Sequence, residues 1–250
     1  ITCSNFADAT TVSFGGTAAS SFSVVNATTI TAVVASGTSG SVSVNTPGGV
    51  ATLAGFTFIP SPTSTSFTPT SAGTGLTITI TGSNFTNTSA VSFGGTPAAS
   101  FTVDNPNQIS AVVAAGSSGS VFVTTPGGTA TRAGFIYDNV APTVVITSAA
   151  AEPTNVSPIP VTITFSEIVT GFVVGDITVT NGTAGALAGS GTTYTANITP
   201  TAAGLVTVNV AANAAADAAS NGNTASNLLS RTYDNVVPTV LISSTSSDPT

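Results

Sequence analysis

Val91-Ser-Phe-Gly-Gly-Thr96 decides how this chain is read, because the same six residues stand at Val12 to Thr17. The offset of 79 residues, Val12 to Val91, holds on either side of the motif. Thr2-Cys-Ser-Asn-Phe6 aligns with Thr81-Gly-Ser-Asn-Phe85, Thr46-Pro-Gly-Gly49 with Thr125-Pro-Gly-Gly128, and Gly55-Phe56 with Gly134-Phe135. A fixed offset without insertions means one structural unit used more than once. A second repeat with a longer period follows. Tyr137-Asp-Asn-Val-Ala-Pro-Thr143 returns as Tyr233-Asp-Asn-Val-Val-Pro-Thr239, and Glu152-Pro-Thr154 is echoed by Asp248-Pro-Thr250. The two offsets predict a partial unit at 1–59 that lacks its first strand, whole units at 60–138 and 139–235, and the first strand of a further unit at 236–250. The chain reads as a window cut from a longer tandem array.

Inside these units the apolar residues alternate with Thr and Ser. Leu76-Thr-Ile-Thr-Ile80, Ala90-Val-Ser-Phe93, Ile109-Ser-Ala-Val-Val113 and Val121-Phe-Val-Thr124 are separated by turn residues at Gly82-Ser-Asn84, Gly94-Gly95, Asp104-Asn-Pro-Asn107 and Pro126-Gly-Gly128. A period of two with regular turn signals predicts short strands, each with one face buried. Val161-Thr-Ile-Thr-Phe165, Ile177-Thr-Val-Thr180, Thr193-Tyr-Thr-Ala-Asn-Ile198 and Leu205-Val-Thr-Val-Asn-Val210 repeat the pattern in the third unit. Ala211 to Ala219 is the single stretch with helical promise, and Asn221-Gly-Asn223 would stop it. The fold class expected is all-β: β-sandwich domains in tandem, arranged as an elongated rod with stiff, proline-bearing junctions. Phe85, Phe93, Phe101 and Phe135 recur as Phe6, Phe14, Phe22 and Phe56 and are expected to fill the space between sheets.

Composition narrows the chemistry. The 250 residues include two Lys or Arg, nine Asp or Glu, no His and one Cys, for a formal net charge of −7. With Arg132 and Arg231 as the only basic side chains, a phosphate-binding surface is not expected, so neither nucleic acid nor an anionic membrane is a predicted partner. No apolar run approaches the roughly 18 residues of a membrane span. Catalysis through a His-activated nucleophile has no base, and zinc has no ligand set. No enzymatic activity is expected of this window.

The acids gather after residue 137 as Asp138, Glu152, Glu167, Asp176, Asp217, Asp234 and Asp248. Two readings stand side by side. Hard oxygens near module ends suit Ca²⁺, with Asp138, Glu167, Asp176 and Asp234 as the candidate ligands and Asp138 joined to Glu167 or Asp176 across a junction. Alternatively the acids form turns through side-chain to backbone hydrogen bonds. Arg132 and Arg231 would pair with Asp138 and Asp234. Tyr194 is the aromatic best placed to meet a sugar, and Cys3, which stands where the sister copy has Gly82, has no assigned role.

Three motifs carry a family resemblance: Ile78-Thr-Ile-Thr-Gly-Ser-Asn-Phe85, Val91-Ser-Phe-Gly-Gly-Thr96 and Val123-Thr-Thr-Pro-Gly-Gly-Thr-Ala-Thr131. On these, residues 1–138 resemble IPT/TIG domains, which are immunoglobulin-like. Pro160-Val-Thr-Ile-Thr-Phe-Ser-Glu167, Gly175-Asp-Ile-Thr-Val-Thr-Asn-Gly182 and Tyr233-Asp-Asn235 make residues 139–235 similar to a bacterial Ig-like repeat of large surface proteins. The resemblance implies a secreted or bacterial cell-surface protein, adhesin-like, whose repeats form a stalk. Its implied partners are neighbouring repeats of the same chain, a self-assembled filament or a surface glycan. The alternative it leaves open is a set of carbohydrate-binding or accessory modules of a large secreted polysaccharide-active enzyme.

Overall fold

A computed structural model of the chain describes residues 1–243 and 245. Backbone contacts group them into two compact units. The first comprises Ile1–Thr68 and Thr77–Phe135; the second comprises Pro69–Leu76 and the chain from Ile136 onward. The structure is all-β and is built of immunoglobulin-like β-sandwiches. Among the described residues no helix is long and apolar enough to cross a membrane.

The first unit shows the duplication strand by strand. Its first copy runs β1 (Thr11–Phe14), β2 (Thr17–Ala18), β3 (Ser21–Asn26), β4 (Thr29–Val33), β5 (Gly40–Thr46) and β6 (Gly49–Phe56). These form a sheet in the order β2-β1-β5-β6 and a separate pair β3-β4. Next come β7 (Thr63–Thr68) and the short β8 (Ser71–Ala72), the latter in the second unit. The second copy continues with β9 (Thr77–Ser83), β10 (Ala90–Phe93), β11 (Thr96–Pro97), β12 (Ser100–Asn105), β13 (Gln108–Val112), β14 (Gly119–Thr125) and β15 (Gly128–Tyr137). There β11-β10-β14-β15 and β12-β13-β9-β7 are the neighbour orders.

Even the irregularities recur. Ser13 pairs with Ala18 as Ser92 pairs with Pro97, and the register breaks at Val24/Asn26 and Gly40/Val42 return at Val103/Asn105 and Gly119/Val121. The Gly-Gly turns explain the conserved spelling within the chain. Gly94 and Gly95 have φ of 56° and 86°, and a Cβ on Gly94 would stand 1.9 Å from the carbonyl oxygen of Ser117. Only glycine fits both demands. The recurrent Phe residues do face inward in part. Phe6, Phe14, Phe85, Phe93 and Phe135 are buried, with Phe93 and Phe135 rings 4.9 Å apart, while Phe22, Phe56 and Phe101 are half-buried.

In the second unit the end of β15, at Ile136 and Tyr137, runs parallel to Ser71 and Ala72 of β8. The main body follows as β16 (Val144–Thr147), β17 (Ile159–Val169), a single 3-10 turn Val174–Asp176, β18 (Ile177–Thr180), β19 (Gly182–Ala184), β20 (Ala188–Pro200), β21 (Gly204–Val210) and β22 (Leu229–Tyr233). One sheet has the order β16-β17-β20-β19, the other β18-β21-β22. Every second residue of β17 from Ile159 to Phe165 is buried, as period-two patterning requires. Ile163, Ile198, Val208 and Val210 meet in one core drawn from both sheets.

No helical turn forms at Ala211 to Ala219, the stretch with helical promise; hydrogen-bonded turns and short bridges occupy it. Its backbone donors are taken by side chains. Asn223 Oδ1 accepts from Ala215 N at 2.7 Å, and Asp217 Oδ1 accepts from Ala219 N at 2.8 Å. Such side-chain bonds offer the backbone an alternative to the helix, and here they outweigh the helix propensity of alanine. Of the strand expected at 236–250, residues 244 and 246–250, including Asp248, lie outside the described residues; residues 236–243 are exposed and belong to no strand.

Ile163, fully buried, is the clearest test of this core. Ile163→Ala is expected to lower the unfolding free energy of the second unit by about 2–5 kcal/mol in urea melts. Val145→Thr, on the exposed face of β16, is expected to stay within about 0.5 kcal/mol of the parent.

Candidate functional site

Residues far apart in sequence meet where β15 ends and β17 bends. Asp138 follows β15 directly; its N–H donates to Ala72 O, and its Oδ1 accepts from Val140 N at 3.0 Å. Glu167 lies in the part of β17 where pairing with β20 is interrupted, between Thr164 and Val169. Asp217 arrives on the loop after β21. Ala216 pairs with Thr170 through two backbone hydrogen bonds of 2.8 and 3.1 Å, which sets the next residue beside Glu167. The ligating oxygens of Asp138, Glu167 and Asp217 all lie within 4.8 Å of one another.

The loop that presents Asp217 is built around Asn223. This side chain is almost wholly buried and fully satisfied: its Nδ2 donates to Ala211 O and Thr224 O, and its Oδ1 accepts from Ala215 N. Asn221 completes the cluster. Its Nδ2 donates to Asp217 Oδ2 at 2.9 Å and to the carbonyl of Asp138 at 3.2 Å. The buried Asp217 carboxylate thus accepts from Ala219 N, Asn221 N and Asn221 Nδ2.

Glu167 is the strained member. Burial lifts its carboxyl above the usual glutamate range, and the charges of Asp217 and then Asp138 lift it further. A carboxylate facing two others is relieved by a proton or by a cation. Three carboxylates at this spacing have the hard-oxygen chemistry that Ca²⁺ prefers.

Of the four residues expected to ligate calcium, the structure brings Asp138 and Glu167 together and adds Asp217. Asp176 and Asp234 stand outside the group. Asp176 Oδ2 accepts from Val173 N at 2.8 Å and closes the 3-10 turn. Asp234 Oδ1 accepts from Val236 N at 2.9 Å, so it holds a turn just past β22. The expected Arg231–Asp234 pair is not made. Arg231 instead donates to the carbonyls of Ala150, Ser230 and Ser148, tying β22 to the segment after β16. Glu152 is beside it, and both its oxygens accept from Thr232 N. Hydrogen bonding from Thr232, the hydroxyl first and the backbone N–H second, lowers the Glu152 pKa, and Arg231 adds a weaker attraction. Tyr194 is not available to a sugar: it is buried against Phe165 and Phe172, with ring centroids 5.9 and 5.1 Å away.

Comparison with protein-family models agrees with this architecture. Residues 62–144 match the family model described as IPT/TIG domain, and residues 138–233 match one described as bacterial Ig-like domain. No curated protein sequence matches the chain. Among solved structures, one similar chain is SGBP-B from a complex xyloglucan utilization locus in Bacteroides uniformis, at 19% identity, covering 68% of this chain and 57% of that one, with a TM-score of 0.32. Another is FdeC, an Escherichia coli adhesin, at 15% identity over 92% and 87% of the two chains, with a TM-score of 0.40. The chain spans less than two thirds of the first of these.

The two glutamates carry opposite pH signatures. Glu167 binds its proton more tightly when folded, so its contribution is fully present below the ordinary glutamate range and is lost as pH rises through the raised pKa. Glu167→Gln is therefore expected to raise Tm at about pH 7 and leave it unchanged at about pH 3. Glu152 has a lowered pKa, so its contribution is present above the ordinary glutamate range and is lost as pH falls through the lowered value. Glu152→Gln is expected to lower Tm at neutral pH and to be neutral in acid. Thermal melts across pH check both.

Proposed function

We propose, for a chain that carries an IPT/TIG domain followed by a bacterial Ig-like domain, a non-catalytic spacer role in a larger secreted or cell-surface protein of the adhesin or filament kind. The observation that carries the reading is the duplication at fixed register, bulges included, with inward-facing apolar residues in each unit. A unit copied in series adds length without adding chemistry. Side chains that could act on a substrate are occupied with holding backbone: Asp176, Asp234 and Glu152 accept from N–H groups, and Arg231 donates to carbonyls. The domain division proposed is 1–59, 60–138 and 139–235. Its partners in this role are neighbouring repeats of the same chain.

The same reading gives the cluster of Asp138, Glu167 and Asp217 a stiffening role once its charge is compensated, by a proton in acid or by calcium at neutral pH. Both of these would draw the end of β15, the bend of β17 and the Asp217 loop together.

Small-angle scattering of the purified chain tests the spacer role. A single compact body of this length has a radius of gyration of about 18 Å. A value well above that is expected, and one close to it would refute the series arrangement. For the cluster, millimolar calcium is expected to raise Tm of the parent relative to chelator and to leave Glu167→Gln unmoved. An equal rise in both would show that calcium acts elsewhere.

A further inference from the structure

The two copies in the first unit build the same four strands into a sheet, β2-β1-β5-β6 in the first and β11-β10-β14-β15 in the second. Side chains on a strand alternate between faces, and residues paired across a sheet share a face. In β14, Val121 and Val123 are buried toward the core. Phe122, between them, therefore faces out. Its cross-strand partners are Ser92 on β10 and Thr131 on β15, and Pro97 of β11 lies beyond Ser92. In the next row of the same face Ala90, Thr124 and Thr129 stand in line, with the two threonine hydroxyls hydrogen-bonded at 3.1 Å.

The sister copy shows that the sheet does not need this ring. Its corresponding row is Ala18, Ser13, Ser43 and Thr52, so a serine stands where Phe122 does. The pairing and the register break beside it are the same in both copies. The other phenylalanines of the second copy point to the core. Phe67, Phe85, Phe93 and Phe135 are buried, and Phe101 pairs with the buried Ala111. Phe122 is half-buried on the outer face.

The surface around the ring is uncharged. None of these outward residues is acidic or basic, and Arg132, paired with Val121, belongs to the opposite face. Four strands side by side make the surface about 14 Å wide. It is a flat strip and not a cleft, so it has no depth in which to bury a small molecule. The net charge of −7 repels a polyanion, and the strip offers no carboxylate to a polycation.

We infer that the outer face around Phe122 is a binding strip for a neutral polysaccharide. A pyranose ring is apolar on its C–H face and hydroxylated at its rim. The phenyl ring meets the first. Ser92, Thr131, Thr124 and Thr129 meet the second, because a hydroxyl both donates and accepts. Phe122 supplies the stacking ring that the buried Tyr194 cannot. A flat strip suits an extended chain, whose successive sugars continue along the row. This binding adds to the spacer role and does not rest on it.

The test uses the full chain in native affinity gels that contain hydroxyethylcellulose or pullulan, two neutral polysaccharides, with carboxymethylcellulose as the anionic counterpart. Retardation is expected in at least one neutral gel and is expected to be weaker with carboxymethylcellulose. Phe122→Ser installs the residue of the sister copy. It is expected to raise the apparent Kd about tenfold or more, with the far-ultraviolet spectrum of the parent retained. Thr131→Glu places a charge on an exposed position of the strip and is expected to raise Kd about threefold or more. The inference is overturned if neither neutral gel retards the chain, or if carboxymethylcellulose retards it as strongly. It is overturned as well if either Phe122→Ser or Thr131→Glu binds as the parent does. Sedimentation supplies the remaining arm: self-association of the parent that Phe122→Ser abolishes would make this face an interface between copies and overturn the assignment to a polysaccharide.

Discussion

Side chains on a pleated strand point alternately to two faces, and in this chain one of those faces must meet another sheet. Charged residues make up 4% of the sequence, so networks of ion pairs are not available to hold it. What remains is apolar burial between sheets and complete pairing of the backbone. Both needs are visible in β17, where Ile159, Val161, Ile163 and Phe165 face the core while their neighbours pair with β16 and β20. Asparagine then does much of the work at the edges. The Asn227 amide donates to Ile146 O and accepts from Ile146 N, and so stands in for a strand beside β16.

Much of the fold was legible because period-two patterning is a strong local signal. Ala90–Phe93 and Ile177–Thr180 form strands at the residues their alternation indicates. β7 was not read, since Thr63-Ser-Thr-Ser-Phe-Thr68 offers a single large apolar residue and becomes a strand through its pairing with β9. The Ala-rich stretch before Asn221 was misread because helix propensity is weak against specific side-chain capture of backbone donors. In sequence Asn223 looks like a stop signal, while in the fold its buried amide gives the loop its shape.

The cluster was legible by halves. Asp138 stands at a repeat boundary, which sequence position reveals, and Glu167 is one of the acids gathered after it. Asp217 is brought in by the Ala216–Thr170 bridge, a contact between distant segments that no local pattern announces. Asp176 and Asp234 look the same as ligands in a list of acids, yet each is held by a backbone N–H two or three residues away. Tyr194 could have been placed correctly, because it shares a face with Ala196 and Ile198, and both of those are buried.

Asn221 is followed by Gly222, and its amide donates both to Asp217 and to the Asp138 carbonyl. Asparagine is among the thermolabile residues. Loss of ammonia from this one side chain would exchange a donor for a carboxylate facing Asp217 at hydrogen-bond distance. The group would then hold four acids, and the force that now draws the loop inward would push it out. The age of the molecule, counted in spontaneous hydrolysis, is thereby coupled to how firmly its second unit holds that loop.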